Sequence, residues 1–423
     1  MIAAGARSCY HTQNVRLTVD QIVWLLYLTV LVFDYRRDTD DSSSLVVLVG
    51  LSNIALGIFL IFRAHRIRSN VLLAVLPIAI FIAGAIFTGF LYGQPVRDTI
   101  ARAVPVSIFV LAAINAAAWP IRGNAERLIK MIIVASILAA IWKIIFGFLY
   151  TGKDIETIRY QIISGSLPLA FSFAIAALLV KRRRFMFLAL IVSVAAVALS
   201  VTRSFLVIYV ASVIAATLSM PRVRLSRTIV RATAAIMLIA LGIAVGAVAY
   251  PEVAARWVTR FGMSSQIGFD LTAQTRIAEA SYQIQRLADE PIGLLFGFGH
   301  AAETGYAGRA AELVYSVLRQ SKDHTGVGYG HIFYIGIVFV GGLVFGLPVL
   351  LVLFSTPFKA SQTVRRKWDS LNDTERFVLI WSIGALAGYL SAGLLSSPWG
   401  DRSMSFFFGL SFGLAFFRSP VLR

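Results

Sequence analysis

Four arginines and two histidines stand where they could do chemistry. Arg203 lies in the break Leu199-Ser200-Val201-Thr202-Arg203-Ser204 between two apolar runs, at a boundary between hydrophobic chain and water. A guanidinium matches phosphate oxygens through paired, charge-assisted hydrogen bonds. Arg276 and Arg286 belong to the polar face of one amphipathic stretch, and Arg102 sits just inside another apolar run with Asp98 a helical turn away. His324 and His331 flank the glycine-rich segment Thr325-Gly326-Val327-Gly328-Tyr329-Gly330. A neutral imidazole accepts a proton near pH 7, and Asp323 is placed to orient His324. Cations for a departing phosphorylated group and a base for an incoming hydroxyl are the parts of a transfer reaction.

Each of these residues also has a plainer reading. A long basic side chain near the end of a span can run its stem along lipid and leave its charge in the headgroups, which would account for Arg203, Arg102 and Lys143. Arg276 and Arg286 can be solvated surface charges, and either histidine can be a hydrogen-bonded interface residue. The turn Gly293-Leu294-Leu295-Phe296-Gly297-Phe298-Gly299 either offers backbone N–H groups to an anion or permits a tight bend. His300 follows it and reads equally as a turn residue. No HExxH, no His/Cys cluster at ligand spacing and no phosphate-binding Gly-Lys-Ser/Thr occur, so neither a metal nor a nucleotide cofactor is expected.

The elements that must hold these residues are membrane helices. The 423-residue chain is 58% hydrophobic with a mean hydropathy of +0.78, far from a soluble globular composition. A span needs about 20 apolar residues. Twelve candidate runs lie near 18–34, 44–62, 71–89, 100–118, 128–150, 161–180, 185–200, 204–218, 232–250, 330–355, 376–395 and 404–417. The net charge of +18 suggests nucleic acid until its placement is followed. With the N-terminus inside, inner segments collect Arg63, Arg66, Arg68, Arg122, Arg127, the Lys181-Arg182-Arg183-Arg184 run, Arg222, Arg224, Arg227 and Arg365-Arg366-Lys367. The short outer loops hold far fewer, Arg203 among them. This is the positive-inside bias, so the basicity records topology and no nucleic-acid partner is expected. An outer-face arginine runs against that bias and needs a reason. The sole cysteine, Cys9, excludes an intrachain disulfide, and the first run lacks a small-residue cleavage site, as expected of a retained anchor.

The expected fold is all-α and polytopic, with about twelve transmembrane helices and both termini cytoplasmic. Residues 1–250 carry spans 1–9, 251–329 form one large outer loop, and 330–423 carry spans 10–12. The loop is nearly balanced in charge and holds apolar residues throughout. One helix is expected over 272–289, with Thr272 as N-cap, Ile277, Ala280, Ile284 and Leu287 on the packed face, and Arg276, Glu279, Gln283 and Arg286 toward a cleft. Pro291 and Gly293 would stop it. A second helix is expected over 308–320, with Leu313, Val314, Val317 and Leu318 inward.

Over residues 190–350 these pieces resemble the O-antigen ligase/O-antigen polymerase family of bacterial inner-membrane glycosyltransferases. The resemblance rests on a pair of spans hinged on Thr202-Arg203-Ser204 and a large outer loop. Within the loop come Thr275-Arg276, a helix, Glu290-Pro291-Ile292-Gly293 and Phe296-Gly297-Phe298-Gly299-His300. A histidine-bearing entry then leads to a span containing Gly336, Gly341, Gly342 and Gly346. It implies transfer of a glycan from undecaprenyl diphosphate at the periplasmic face, with inversion and without metal or cofactor. The acceptor would be another lipid-linked repeat unit, for a polymerase of O-antigen or exopolysaccharide, or lipid A–core, for a ligase. Arg203 and Arg276 would take up the leaving diphosphate, with Arg286 and Arg102 adding to the positive pocket. A histidine would help activate the acceptor. Many members carry His-Asn before this span, whereas this chain has His324-Thr325 and His331-Ile332, which leaves both histidines as candidates. Membrane lipid and a polysaccharide copolymerase or assembly complex are further partner classes, and a lipid-linked sugar flippase or polysaccharide exporter is the rival function.

Overall fold

The computed structural model describes residues 18–33, 44–64, 67, 69–118, 125–151, 162–181, 183–221, 225–249, 251–252, 254–258, 270–318 and 326–417. The described residues are predominantly helical. In chain order the helices are α1 (Val19–Val32), α2 (Ser44–Arg63), α3 (Ser69–Leu91), α4 (Val96–Ala118), α5 (Ala125–Thr151), α6 (Leu167–Leu179), α7 (Met186–Ser200), α8 (Arg203–Leu218) and α9 (Leu225–Ala249). Then come α10 (Leu271–Asp289), α11 (Pro291–Phe296), α12 (Gly308–Leu318), α13 (Phe333–Gly341), α14 (Leu347–Lys367), α15 (Asp373–Ala392) and α16 (Arg402–Leu414). A helix coincides with each of the twelve apolar runs. Ser69–Leu91, Val96–Ala118, Ala125–Leu149 and the broken helix Phe333–Ser370 are long and apolar enough to cross a membrane, and α1, α6, α7 and α8 are shorter apolar helices.

Close approach of small residues ties the bundle together. On α16, Gly409 and Gly413 lie a turn apart and press on the Phe109 and Ala113 carbonyls of α4, where any Cβ would collide. Between apolar helices packing replaces the hydrophobic drive, so small residues gather at such crossings. In the same way α15 packs against α6 and α8, where Gly384 and Gly388 face Ser172 and Ser212. Buried polar groups close across these seams: the Trp381 indole donates to the Leu169 carbonyl (2.8 Å) and the Tyr389 hydroxyl to that of Gly165 (2.7 Å). These bonds fix the end of the bundle from which the site is built.

The helix of residues 333–367 is one apolar run that the structure breaks. α13 ends at Gly341, Gly342 takes φ +63°, and a π-turn over Gly342–Gly346 leads into α14. The break releases the carbonyls of Phe339 and Val340, which accept from the N–H groups of Phe298 (2.9 Å) and Gly299 (3.0 Å). Gly297 and Gly299 sit at φ +77° and +90° with backbone against Val340 and Gly89, so only glycine fits the close approach. The glycine turn therefore gives these N–H groups to a span rather than to an anion. Gly293 lies inside α11 instead of ending α10, because Pro291 restarts the helix at its first position. Glu303–Thr304 (β1) pairs antiparallel with Gly326–Val327 (β2), which brings the chain before α13 over α10.

Candidate anion and proton-transfer site

The hinge between α7 and α8 presents Arg203. Val201 adopts φ +49°, ψ +39°, a left-handed conformation that a β-branched residue enters only under constraint, and its side chain is buried. The turn starts α8 at Arg203. The Thr202 hydroxyl donates back to the Ser200 carbonyl (3.0 Å) and makes no cap, so no N-cap side chain satisfies the first-turn N–H groups of α8. Those N–H groups add positive potential beside the guanidinium.

The second half comes from the loop. Arg203 Nη2 lies 2.8 Å from Asp270 Oδ2, while Asp270 Oδ1 accepts from the N–H groups of Thr272 (3.0 Å) and Ala273 (3.3 Å). Asp270, rather than Thr272, is therefore the N-cap of α10. Thr272 is already inside the helix and serves as donor. One carboxylate joins the N-terminal ends of α8 and α10. Arg276, a turn and a half further along α10, is half-buried. Burial pushes its pKa down, Asp270 opposes that shift, and Arg203 adds to it. The Arg276 Nε is buried without a hydrogen-bond partner. Arg203 is paired with Asp270, and Arg276 lies within electrostatic range of both, so two guanidinium groups stand beside one carboxylate and leave a net positive charge.

The same face of α10 holds a carboxylate–imidazole pair. Glu279, only 6% exposed, accepts at Oε2 from the His331 backbone N–H (2.7 Å) and lies 2.7 Å from His331 Nδ1. Its Oε1 accepts from the Thr304 hydroxyl at 3.4 Å. Gln283, also buried, reaches the Tyr329 carbonyl at 3.5 Å, and Gly330 at φ +67° lets the chain pass close over both side chains. The His331 ring itself is about half exposed. Arg276 and Glu279 are three residues apart, hence neighbours on the helix surface, so the anion site and His331 are separated by about one turn.

The packing of α10 corrects the expected face. Ile277 and Ile284 are exposed, whereas Glu279 and Gln283 are buried together with Ala278, Ala280 and Leu287. Residues 329–331 cross the helix as irregular chain whose N–H and C=O groups need partners, and Glu279 and Gln283 supply them. Ala278 meets Ala310 and Ala311 of α12, and Leu287 meets Phe298 and Phe339. In the second helix Val314 is buried and Leu313 partly so, while the side chains of Val317 and Leu318 lie outside the described residues.

The remaining candidates are placed elsewhere. The Arg286 guanidinium lies over the Phe298 ring (4.3 Å), donates to the Glu303 carbonyl (3.3 Å) and pairs with Glu290 (3.6 Å). These contacts commit it to holding the glycine turn. Arg102 leaves α4 beside Gly328. Lys143 is buried within the bundle instead of snorkelling. His324 and its neighbour Asp323 lie outside the described residues. Among the described residues no group of His, Cys, Asp or Glu is assembled to hold a metal. No protein-family model matches the chain, and no curated protein matches it in sequence.

His300 is a structural residue. It is fully buried, its Nδ1 pairs with the Tyr329 hydroxyl (3.1 Å), and its ring meets Phe81 edge-on. Burial pushes its pKa from 6.5 down to about 3; the Ile82 backbone opposes this weakly, and Nε2 closes no hydrogen bond of normal geometry. Between pH 6.5 and about 3 the unfolded ring binds a proton that the folded ring refuses. The stability that the neutral ring confers is complete above that window, and it falls with acidification by up to about 1.4 kcal/mol per pH unit. Thermal unfolding across the window is expected to show this slope in the wild type and lose it in His300→Gln. An unchanged slope would assign the acid lability to another group.

Proposed function

We propose that the protein is an integral-membrane glycosyltransferase that polymerises or ligates glycans carried on undecaprenyl diphosphate at the periplasmic face of the bacterial inner membrane, with polymerisation of O-antigen or exopolysaccharide repeats slightly favoured. The observation that carries this reading is the meeting of Arg203 and Arg276, from chain segments far apart, around Asp270, with His331 seated on Glu279 one turn away. The family resemblance, the charge bias of the loops and the helices long and apolar enough to cross a membrane support it. A polyprenyl tail needs lipid while its sugars need water, and a hinge at a helix end beneath a capping loop suits both.

In this reading the acceptor hydroxyl gives its proton to an imidazole as its oxygen forms a bond to the anomeric carbon. The bond from that carbon to the diphosphate oxygen breaks, and its electron pair leaves with the lipid diphosphate. Arg203 and Arg276 take up the charge that grows on the leaving oxygens. Preorganised donors aimed at developing charge are commonly the largest catalytic term. His331 is the base with a visible partner. A flippase would need a polar path through the bundle. The carbonyls freed by the broken helix are instead occupied by the backbone of Phe298 and Gly299.

The test is purified full-length protein mixed with undecaprenyl-diphosphate oligosaccharide in detergent containing EDTA. A ladder of longer lipid-linked products is expected. Product only when lipid A–core is added would mean ligation. No transfer to either acceptor, with lipid flipping in vesicles instead, would replace the reading by a transporter.

A further inference from the structure

We propose that Glu279 is a positioning residue that selects the tautomer of His331, making Nε2 the atom that accepts the acceptor's proton; this rests on the transferase reading above. A carboxylate can only accept hydrogen bonds. Its Oε2 lies 2.7 Å from both the backbone N and the ring Nδ1 of His331, so in the neutral ring Nδ1 must carry the proton and Nε2 keeps the lone pair. The backbone contact matters as much as the ring contact, because two bonds to one oxygen fix both where the residue starts and which way its ring turns. Glu279 is itself held: it is buried, its other oxygen accepts from Thr304 on β1, and Gly330 passes against its carboxyl group where a side chain would collide.

Among the described residues the groups facing this pair can be named. Gln283 lies a turn further along α10 and binds the Tyr329 carbonyl, so it fixes the segment leading to His331 without touching the ring nitrogen. Tyr306, before α12, is close enough to Glu279 for the carboxylate to raise its pKa after burial has done so, and it stays a neutral phenol. Arg276 stands on the same face one turn back. The arrangement divides labour along a single helix: Arg276 faces the leaving diphosphate, and Glu279 acts through His331 on the incoming hydroxyl. The proton leaves the hydroxyl for Nε2, Nδ1–H stays on the carboxylate, and the resulting imidazolium is stabilised by the charge behind it. A ring free to take the other tautomer would present an N–H to the acceptor and could not receive its proton.

The experiment uses full-length protein labelled with ¹⁵N-histidine, the His331 signals being assigned by their loss in His331→Gln, together with the ladder assay. In the wild type the neutral ring is expected to carry its proton on Nδ1. In Glu279→Ala the proton should move to Nε2, and kcat should fall by about 10²–10⁴-fold with KM for the lipid donor unchanged. Glu279→Gln can still accept at Oε1, so it should keep the Nδ1–H form, lose only the charge, and fall between wild type and Glu279→Ala. A residue that merely braces the loop would alter unfolding temperature but leave the ring proton in place. If Arg203→Ala is inactive while Glu279→Ala keeps its kcat and its Nδ1–H signal, the positioning role is overturned and the transferase reading stands. If the wild type transfers no glycan, both fall.

Discussion

Replacing Arg203 by alanine should abolish glycan chain growth while leaving protein level and membrane insertion unchanged. The removed guanidinium is the one that the α7–α8 hinge delivers to Asp270, and it is partly exposed rather than part of the buried core. Loss of one preorganised donor to developing charge costs about 10²–10³-fold in rate, or roughly 3–4 kcal/mol. Arg276 is half-buried close to the same carboxylate, so the pair should behave as a unit and the double variant should lose less than the product of the two single losses. Lysine should recover only a small part of the rate. A point charge on a flexible stem cannot reproduce a planar fork that bridges two phosphate oxygens. Initial rates of ladder formation at saturating lipid-linked donor measure this. Chain growth near the wild-type rate in Arg203→Ala would remove the hinge arginine from the mechanism.

The second large effect is expected at His331. Removing a base that takes a proton in the transition state typically costs about 10²–10⁴-fold. His331→Ala should therefore lower kcat on that scale with little change in KM for the donor, because its ring lies at Glu279 and not at the arginine pair. His324→Ala should keep the larger part of the wild-type rate. The sequence leaves the two histidines level, since His324 has an adjacent acid and His331 the better spacing to Gly342. Glu279 is buried behind His331, whereas His324 lies outside the described residues, so the proposal gives the base to His331. Measuring kcat and KM for both variants decides the matter, and a large loss confined to His324→Ala would transfer the role to it.

How much of this could be read from the chain depends on the solvent each element meets. The long apolar runs were legible because a helix among apolar neighbours announces itself by composition. The Arg203 break is legible for the same reason, as a charge and three hydroxyls interrupting hydrophobic chain. The orientation of α10 was not. The usual rule turns the isoleucines inward, yet Ile277 and Ile284 are exposed and Glu279 and Gln283 are buried. The rule weighs a helix against water, whereas this one must satisfy the backbone of the segment crossing it. A signal was present: an acid and an amide at i and i+4 on one stripe, opposite a glycine-rich strand with few side chains of its own. The cap is ambiguous in the sequence because Thr272 also suits it, although aspartate two residues earlier can reach the same first-turn donors. The break in the helix of residues 333–367 is invisible to hydropathy, since two near-neutral glycines do not interrupt an apolar run. The carbonyls it frees are taken up by the Phe298-Gly299 backbone. Arg286 stands on the same stripe as Arg276, and the rings of Phe298 and Phe339, the Glu303 carbonyl and Glu290 are what hold it at the glycine turn.

The proposed mechanism requires that the arginine pair hold a polyprenyl diphosphate. Binding of undecaprenyl diphosphate to purified wild-type, Arg203→Ala and Arg276→Ala protein in nanodiscs, with undecaprenol as the uncharged control, measures this. The wild type is expected to prefer the diphosphate to the alcohol, and each substitution to weaken binding of the diphosphate by tenfold or more (about 1.4 kcal/mol) without altering that of the alcohol. Equal affinity of all three proteins for the diphosphate would contradict it.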